Sequence, residues 1–239
     1  VDKLTDHVDW QYLFREFWHL YRFGSAGGNR VIRSHLKEVR NRLNAELEKN
    51  PAVAFDQPVR LPVCAWLNRA IDQGLNERAA PLVRSLVRVS GQLTWRYGYE
   101  RMRPGLARKY AYAELMGPNG PVMSDKLILG IVLFAPKCTY PEHSHDGISE
   151  SYICLSGSIS DGNYSVFMPG SLLFNPPKAG PPYDYRGIFE PTLLAYAWVG
   201  EPDKLAHQKW TSPPRNPNPH ILHILHHHVG AGLEHVGQG

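Results

Sequence analysis

The sequence predicts a mainly β protein: a jelly-roll barrel of short antiparallel strands, preceded by an α-helical N-terminal region. Three observations point there. Apolar residues recur at helical spacing through roughly the first hundred positions and then stop. From about Arg108, short β-rich runs alternate with Gly- and Pro-rich turns. Within those runs, residues 140–152 place two pairs of chemistry-bearing side chains at strand spacing.

In the helical region, Trp10, Leu13, Phe14, Phe17, Leu20 and Tyr21 form one apolar stripe, as a 3.6-residue period requires. Gly24-Ser-Ala-Gly-Gly-Asn29 breaks the chain, and Asn29 suits the cap of a second helix. That helix carries Ile32, Leu36, Val39, Leu43 and Leu47 on one face and ends at Asn50-Pro51. A third helix is predicted over 62–75 and a fourth over 81–93, with Pro81 in the first turn. No short basic recognition helix stands within a compact trihelical unit, which argues against a DNA-binding regulator. A layer packed on the barrel or on a second subunit is expected instead, and a homodimer stays open.

The strand region opens with Tyr110 and Tyr112 and continues through the apolar run 127–134. Between them Gly117-Pro-Asn-Gly-Pro121 is turn chemistry. Further strands are predicted around 150–155, 163–168, 171–175 and 192–199, and a barrel mouth is where a ligand would sit. Three regions follow: a helical region 1–104, a barrel 105–207 and a Pro/His-rich tail 208–239 that is expected to be disordered.

Bulk properties narrow the function classes. Hydrophobic content of 43% and charged content of 20% over 239 residues are those of an ordinary globular protein. A net charge of +4, with acids interleaved among the bases, gives no nucleic-acid footprint. No run reaches membrane-spanning length and no signal-peptide layout is present, so a cytoplasmic location is expected. The three cysteines show no pairing pattern, and Cys64 and Cys154 lie in apolar runs that suit buried thiols.

The chemistry concentrates in Tyr140-Pro-Glu-His143-Ser-His145-Asp-Gly-Ile-Ser-Glu150-Ser-Tyr152, closed by Gly157. Alternate side chains of a strand share a face, so His143 pairs with His145, and Glu150 pairs with Tyr152 on the next strand. A turn through Asp146-Gly147-Ile148 would fold the pairs together. Two imidazoles, a carboxylate and a phenol make a plausible shell for a divalent transition metal; zinc, manganese, iron, cobalt and nickel all suit it. For each tyrosine alone, a packed strand aromatic is the competing reading.

The spacing His-x-His-x4-Glu-x6-Gly matches the first motif of the cupin superfamily. With Gly24-Ser-Ala-Gly-Gly28, Arg108-Lys-Tyr-Ala-Tyr112 and Leu194-Ala-Tyr-Ala-Trp198, the chain resembles the cupin-type dimethylsulfoniopropionate (DMSP) lyases, nearest in pattern to their DddL branch. The resemblance implies a carbon–sulfur lyase that cleaves DMSP, a small-molecule substrate, to dimethyl sulfide and acrylate. It implies His143, His145 and Glu150 as metal ligands, Tyr152 as catalytic base and Tyr140 as a second catalytic-site tyrosine that helps hold the substrate. Tyr112 and Trp198 are candidate aromatic walls for the sulfonium cation.

One departure stands out. After Pro169-Gly170 the second cupin motif normally supplies a further histidine, and Pro181 stands near that place here. His207 lies beyond the last predicted strand and is a poor substitute. Either the shell has three residues, aided by Tyr152, Asp184 or water, or the stretch 178–189 is a compensated frameshift. Read one nucleotide out of phase, codons for Gly180-Pro-Pro-Tyr-Asp-Tyr-Arg-Gly187 can encode His-Arg-Thr-Thr-Thr-Gly, so resequencing the DNA decides between the two. Loss of a ligand would impair activity. Another cupin metalloenzyme (an oxygenase or isomerase) or a non-catalytic ligand-binding cupin are the competing functions.

Overall fold

The structure, a computed structural model, describes residues 1–23, 28–99, 102–140, 145, 147–160, 165–177, 185–187 (backbone only) and 190–207. Its first layer is helical: α1 (Val8–Phe23), α2 (Arg30–Glu48), α3 (Leu67–Gly74) and α4 (Ala80–Val89). A one-turn helix, α5 (Pro104–Ala107), leads into the strands. The strands are β1 (Tyr110–Gly117), β2 (Val122–Met123), β3 (Ile128–Phe134), β4 (Thr139–Tyr140), β5 (Ile148–Ser156), β6 (Ile159–Ser160), β7 (Val166–Phe167), β8 (Leu172–Asn175), β9 (Tyr185–Gly187) and β10 (Thr192–Gly200). A short helix, α6 (Pro202–Ala206), follows.

The strands form two sheets. The larger has the order β2-β1-β3-β10-β5-β8, the smaller β4-β9-β6-β7. Among the described residues all strand pairs are antiparallel except β1 with β2. The smaller sheet sends Tyr140 and Ile159 into the same apolar cluster as the inner face of the larger one, which closes the barrel. The helical layer on a cupin barrel is the predicted architecture.

The larger sheet is buried on both faces. Ala111, Ala113, Leu129, Ile131, Leu133, Ile153, Leu155, Ala195 and Ala197 pack with the helices in one cluster. Their neighbours Tyr110, Ile128, Val132, Phe134, Tyr152, Cys154, Leu194, Tyr196 and Trp198 fill the barrel in another. This explains why β3 and β10 read as continuous apolar runs rather than alternating ones. The apolar stripe of α1 is buried as predicted, with Leu13, Phe14 and Phe17 at 0% exposure. Burial of each such side chain stabilises by roughly 1.5–3 kcal/mol.

Helix boundaries differ at the ends. Asn29 caps α2, its Oδ1 accepting the Ile32 backbone N–H at 3.0 Å. Ile32 and Leu47 are only partly buried, whereas His35 and Glu46 are buried. The third predicted helix begins as a 3-10 turn, Pro62–Trp66, and the fourth finishes in another, Ser90–Gln92. Among the described residues the strand predicted over 163–168 is confined to β7. The three cysteines are free and buried. Among the described residues no helix is long and apolar enough to cross a membrane.

Candidate active site

Glu150 lies at the inner face of β5, and the sheet register brings its partners to it. Trp198 stands opposite on β10 and Asn175 opposite on β8, while Tyr152 is two residues along the same strand. Oε1 accepts the Tyr152 hydroxyl at 2.5 Å and the Trp198 indole N–H at 2.7 Å. Oε2 accepts the Asn175 amide N–H at 2.8 Å. Glu150 is 1% exposed as a residue, and among the described residues three neutral donors stand in for the water its carboxylate has lost.

His145 reaches the same carboxylate from before the turn. Gly147 has φ +73°, a left-handed conformation that side chains other than glycine adopt at a cost, and it reverses the chain into β5. The His145 Nε2 then lies 3.8 Å from Glu150 Oε1, with both side chains 2% exposed. Its ring sits 4.1 Å from that of Trp198. A transition-metal ion holds a histidine nitrogen and a carboxylate oxygen each at about 2.0–2.2 Å. The His145–Glu150 separation is short enough for one ion to bridge, so the donor set fits such a group.

The other predicted residues fall around this centre. Tyr140, on β4, donates its hydroxyl to Tyr110 at 3.1 Å, with ring centroids 4.5 Å apart. Burial pushes the Tyr140 phenol well above its ordinary range, and the neighbouring Tyr110 and Tyr152 push it further. It therefore stays protonated, a hydrogen-bond donor at neutral pH. Tyr112 is half-buried, its phenol pushed up to about 12, chiefly by burial and then by Glu114. His143, Asp184, Pro181 and the 208–239 tail lie outside the described residues.

Three participants went unassigned in the sequence. Tyr196 stands between the others, with ring centroids 6.3 Å from Tyr152, 5.8 Å from Trp198 and 6.4 Å from Tyr112. Its signal was present: it is two before Trp198 and so shares its face. Asn175 lies in the Pro-Gly motif, but its contact with Glu150 depends on the β5–β8 register. Tyr110 is brought to Tyr140 only when the two sheets close.

A cupin barrel with a buried histidine, carboxylate and tyrosine at one point defines a cupin-type enzyme, and comparisons identify the kind. The model of the DMSP lyase family matches residues 35–183, more than half of the chain. A Cereibacter sphaeroides protein curated under the name dimethylsulfoniopropionate lyase DddL is 49% identical over 206 residues, 85% of this chain and 87% of that one. The chain belongs to the DMSP lyase family and is by that membership a carbon–sulfur lyase. The solved structure of DMSP lyase DddQ from Ruegeria pomeroyi DSS-3 shares the fold, with TM-score 0.62 and 22% identity over 81% of this chain and 92% of that one. One reported for the DMSP lyases RdDddP and RnDddQII does too, with TM-score 0.58 and 21% identity over 81% and 93%. Membership favours lyase chemistry over the oxygenase, isomerase and non-catalytic readings.

Proposed function

We propose that this chain cleaves DMSP to dimethyl sulfide and acrylate by metal-dependent β-elimination, with Tyr152 as base. The observation that carries the residue roles is the meeting of Tyr152, His145 and Trp198 at one oxygen of buried Glu150. His143, His145 and Glu150 would hold one divalent transition metal: zinc, manganese, iron, cobalt or nickel. When bound, such an ion supplies Lewis acidity toward the substrate carboxylate and favours the phenolate of a nearby tyrosine.

Tyr152 shares its proton with Glu150, and removing that proton would set two anions side by side, which a neighbouring cation makes tolerable. As phenolate, Tyr152 takes the proton from the carbon next to the substrate carboxylate. The C–H electron pair becomes the new C=C bond, the C–S bond breaks, and its electrons leave with neutral dimethyl sulfide. Tyr152 then returns its proton to solvent. A neutral leaving group asks for no general acid. Tyr140, held protonated, is unsuited to the base role, and its one O–H, donated to Tyr110, would have to turn from that partner to hold the substrate. Trp198 spends its N–H on Glu150, leaving its ring face, with Tyr112 and Tyr196, for the sulfonium.

The test is dimethyl sulfide release into the headspace from purified, metal-loaded protein given DMSP. Tyr152→Phe removes one hydroxyl and is expected to lower turnover by about 10²–10⁴-fold. Equal release from both proteins would end the base assignment.

A further inference from the structure

On the face of β5 turned away from the barrel, one buried polar side chain is met by polar groups from two helices. Its neighbours there, Ile153, Leu155, Ala195 and Ala197, are apolar and pack against the helices. Ser151, between Glu150 and Tyr152 in the chain, is 0% exposed on that same face. Two helices send polar groups to it. The Tyr21 hydroxyl, from α1, lies 3.0 Å from Ser151 Oγ, and His35 Nε2, from α2, lies 2.8 Å from the same atom.

All three groups are buried, with Tyr21 at 1% and His35 at 6% exposure. A serine hydroxyl can donate only once, so Ser151 accepts from at least one of its two partners. The His35 ring also packs on Phe174, at 4.8 Å, which is the residue opposite Ser151 on β8. The trio thus touches β5 and β8, the two strands that bring Glu150 and Asn175 together. An apolar trio would fill this space without needing matched partners.

We infer that Tyr21 and His35 are positioning residues of the active site, acting through Ser151 to set the roll of β5 and so the aim of Glu150 and Tyr152. The inference rests on the ligand and base roles proposed above. Adjacent residues of a strand point to opposite faces. Pinning the Ser151 side chain from behind therefore fixes the direction of its two neighbours in front. The helical layer becomes a support for the chemistry as well as a cover for the sheet, in the way that groups behind metal ligands orient them elsewhere.

The experiment uses the full chain with cobalt(II), whose visible absorption reports its ligand geometry. Wild type, Ser151→Ala, Tyr21→Phe and His35→Gln are compared for cobalt affinity by chelator competition, for the cobalt spectrum, for kcat and KM with DMSP, and for melting temperature. Ser151→Ala is expected to lower cobalt affinity about 10–100-fold, to shift the absorption band and to lower kcat more than it raises KM. Tyr21→Phe should show the same spectral shift with a smaller loss, and His35→Gln, which keeps a hydrogen-bonding nitrogen, should lie closest to wild type. Should Ser151→Ala fail to fold, Tyr21→Phe carries the test, since it removes a single hydroxyl. A lower melting temperature with wild-type cobalt affinity and spectrum in Tyr21→Phe and Ser151→Ala would overturn the inference. If wild type binds cobalt and the variants shift its spectrum but no dimethyl sulfide is released, the inference stands and the substrate assignment fails. A wild type that binds no cobalt overturns both.

Discussion

His35 illustrates how burial turns a titratable residue into a fixed neutral one. Burial pushes its imidazole down to about 4, against opposing pulls from Glu38 and Glu150. An unfolded chain protonates this histidine near pH 6.5, and the folded chain resists until much lower pH. Its contribution to stability is therefore whole above pH 6.5 and declines as the pH falls toward 4. Between pH 7 and pH 5 the loss amounts to about 2 kcal/mol. Denaturant titrations at the two pH values should show that fall in wild type and a flatter profile, by about that amount, in His35→Gln. At this scale the sequence was partly legible. Strand alternation put Glu150 and Tyr152 on one face, whereas helical spacing read α2 as an apolar face of Ile32 to Leu47 and passed over His35. A polar residue inside a helix signals nothing until the strand it meets is known.

Gly157 shows why an element ends where it does. It closes β5 with φ +71°, and a Cβ there would lie 2.4 Å from the Pro191 carbonyl and 2.7 Å from Thr192 Oγ1. The start of β10 thus passes directly over the end of β5. Gly157→Ala combines an unfavourable backbone conformation with a collision against a backbone atom, and a destabilisation of about 2 kcal/mol or more is expected. Chemical denaturation checks it, and an unchanged midpoint would show that the turn relaxes freely. The motif's glycine was legible from spacing, and so were the long helices and strands. The short elements β2, β4, β6 and β9 were not, because two- and three-residue strands carry too little pattern to register and exist only through their pairing. The 3-10 ends of the third and fourth helices likewise reflect local packing rather than sequence period.

The molecule is built around one sheet with two buried faces. Its outer face holds a core shared with α1, α2, α3 and α4, and its inner face holds the site. Removing residues 1–104 would leave Leu129, Ile131, Leu133, Ile153 and Leu155 without cover. An apolar patch of that kind drives association. The truncated chain is expected to be insoluble or aggregated when expressed, whereas the full chain elutes as a defined species on size-exclusion chromatography; a soluble, monodisperse truncation would show that the barrel stands alone. The change from helical to strand pattern near residue 108 was plain in the sequence. What the pattern could not convey was that the two regions share a core, since periodicity reports which face is apolar and not what it meets.

The order of strands in the larger sheet divides the grip on Glu150 into unequal halves. Trp198 holds it from β10, which has a neighbour on each side, while Asn175 holds it from β8 at the sheet margin. Margins open by local fluctuation at lower free energy than interiors. Backbone amides of β8 should therefore exchange with deuterium well before those of β10, and equal rates would mean the sheet opens only as a whole. The carboxylate would then keep both donors to Oε1, Tyr152 and Trp198, while the Asn175 contact to Oε2 loosens first, so the two oxygens of one buried group would differ in how firmly they are held.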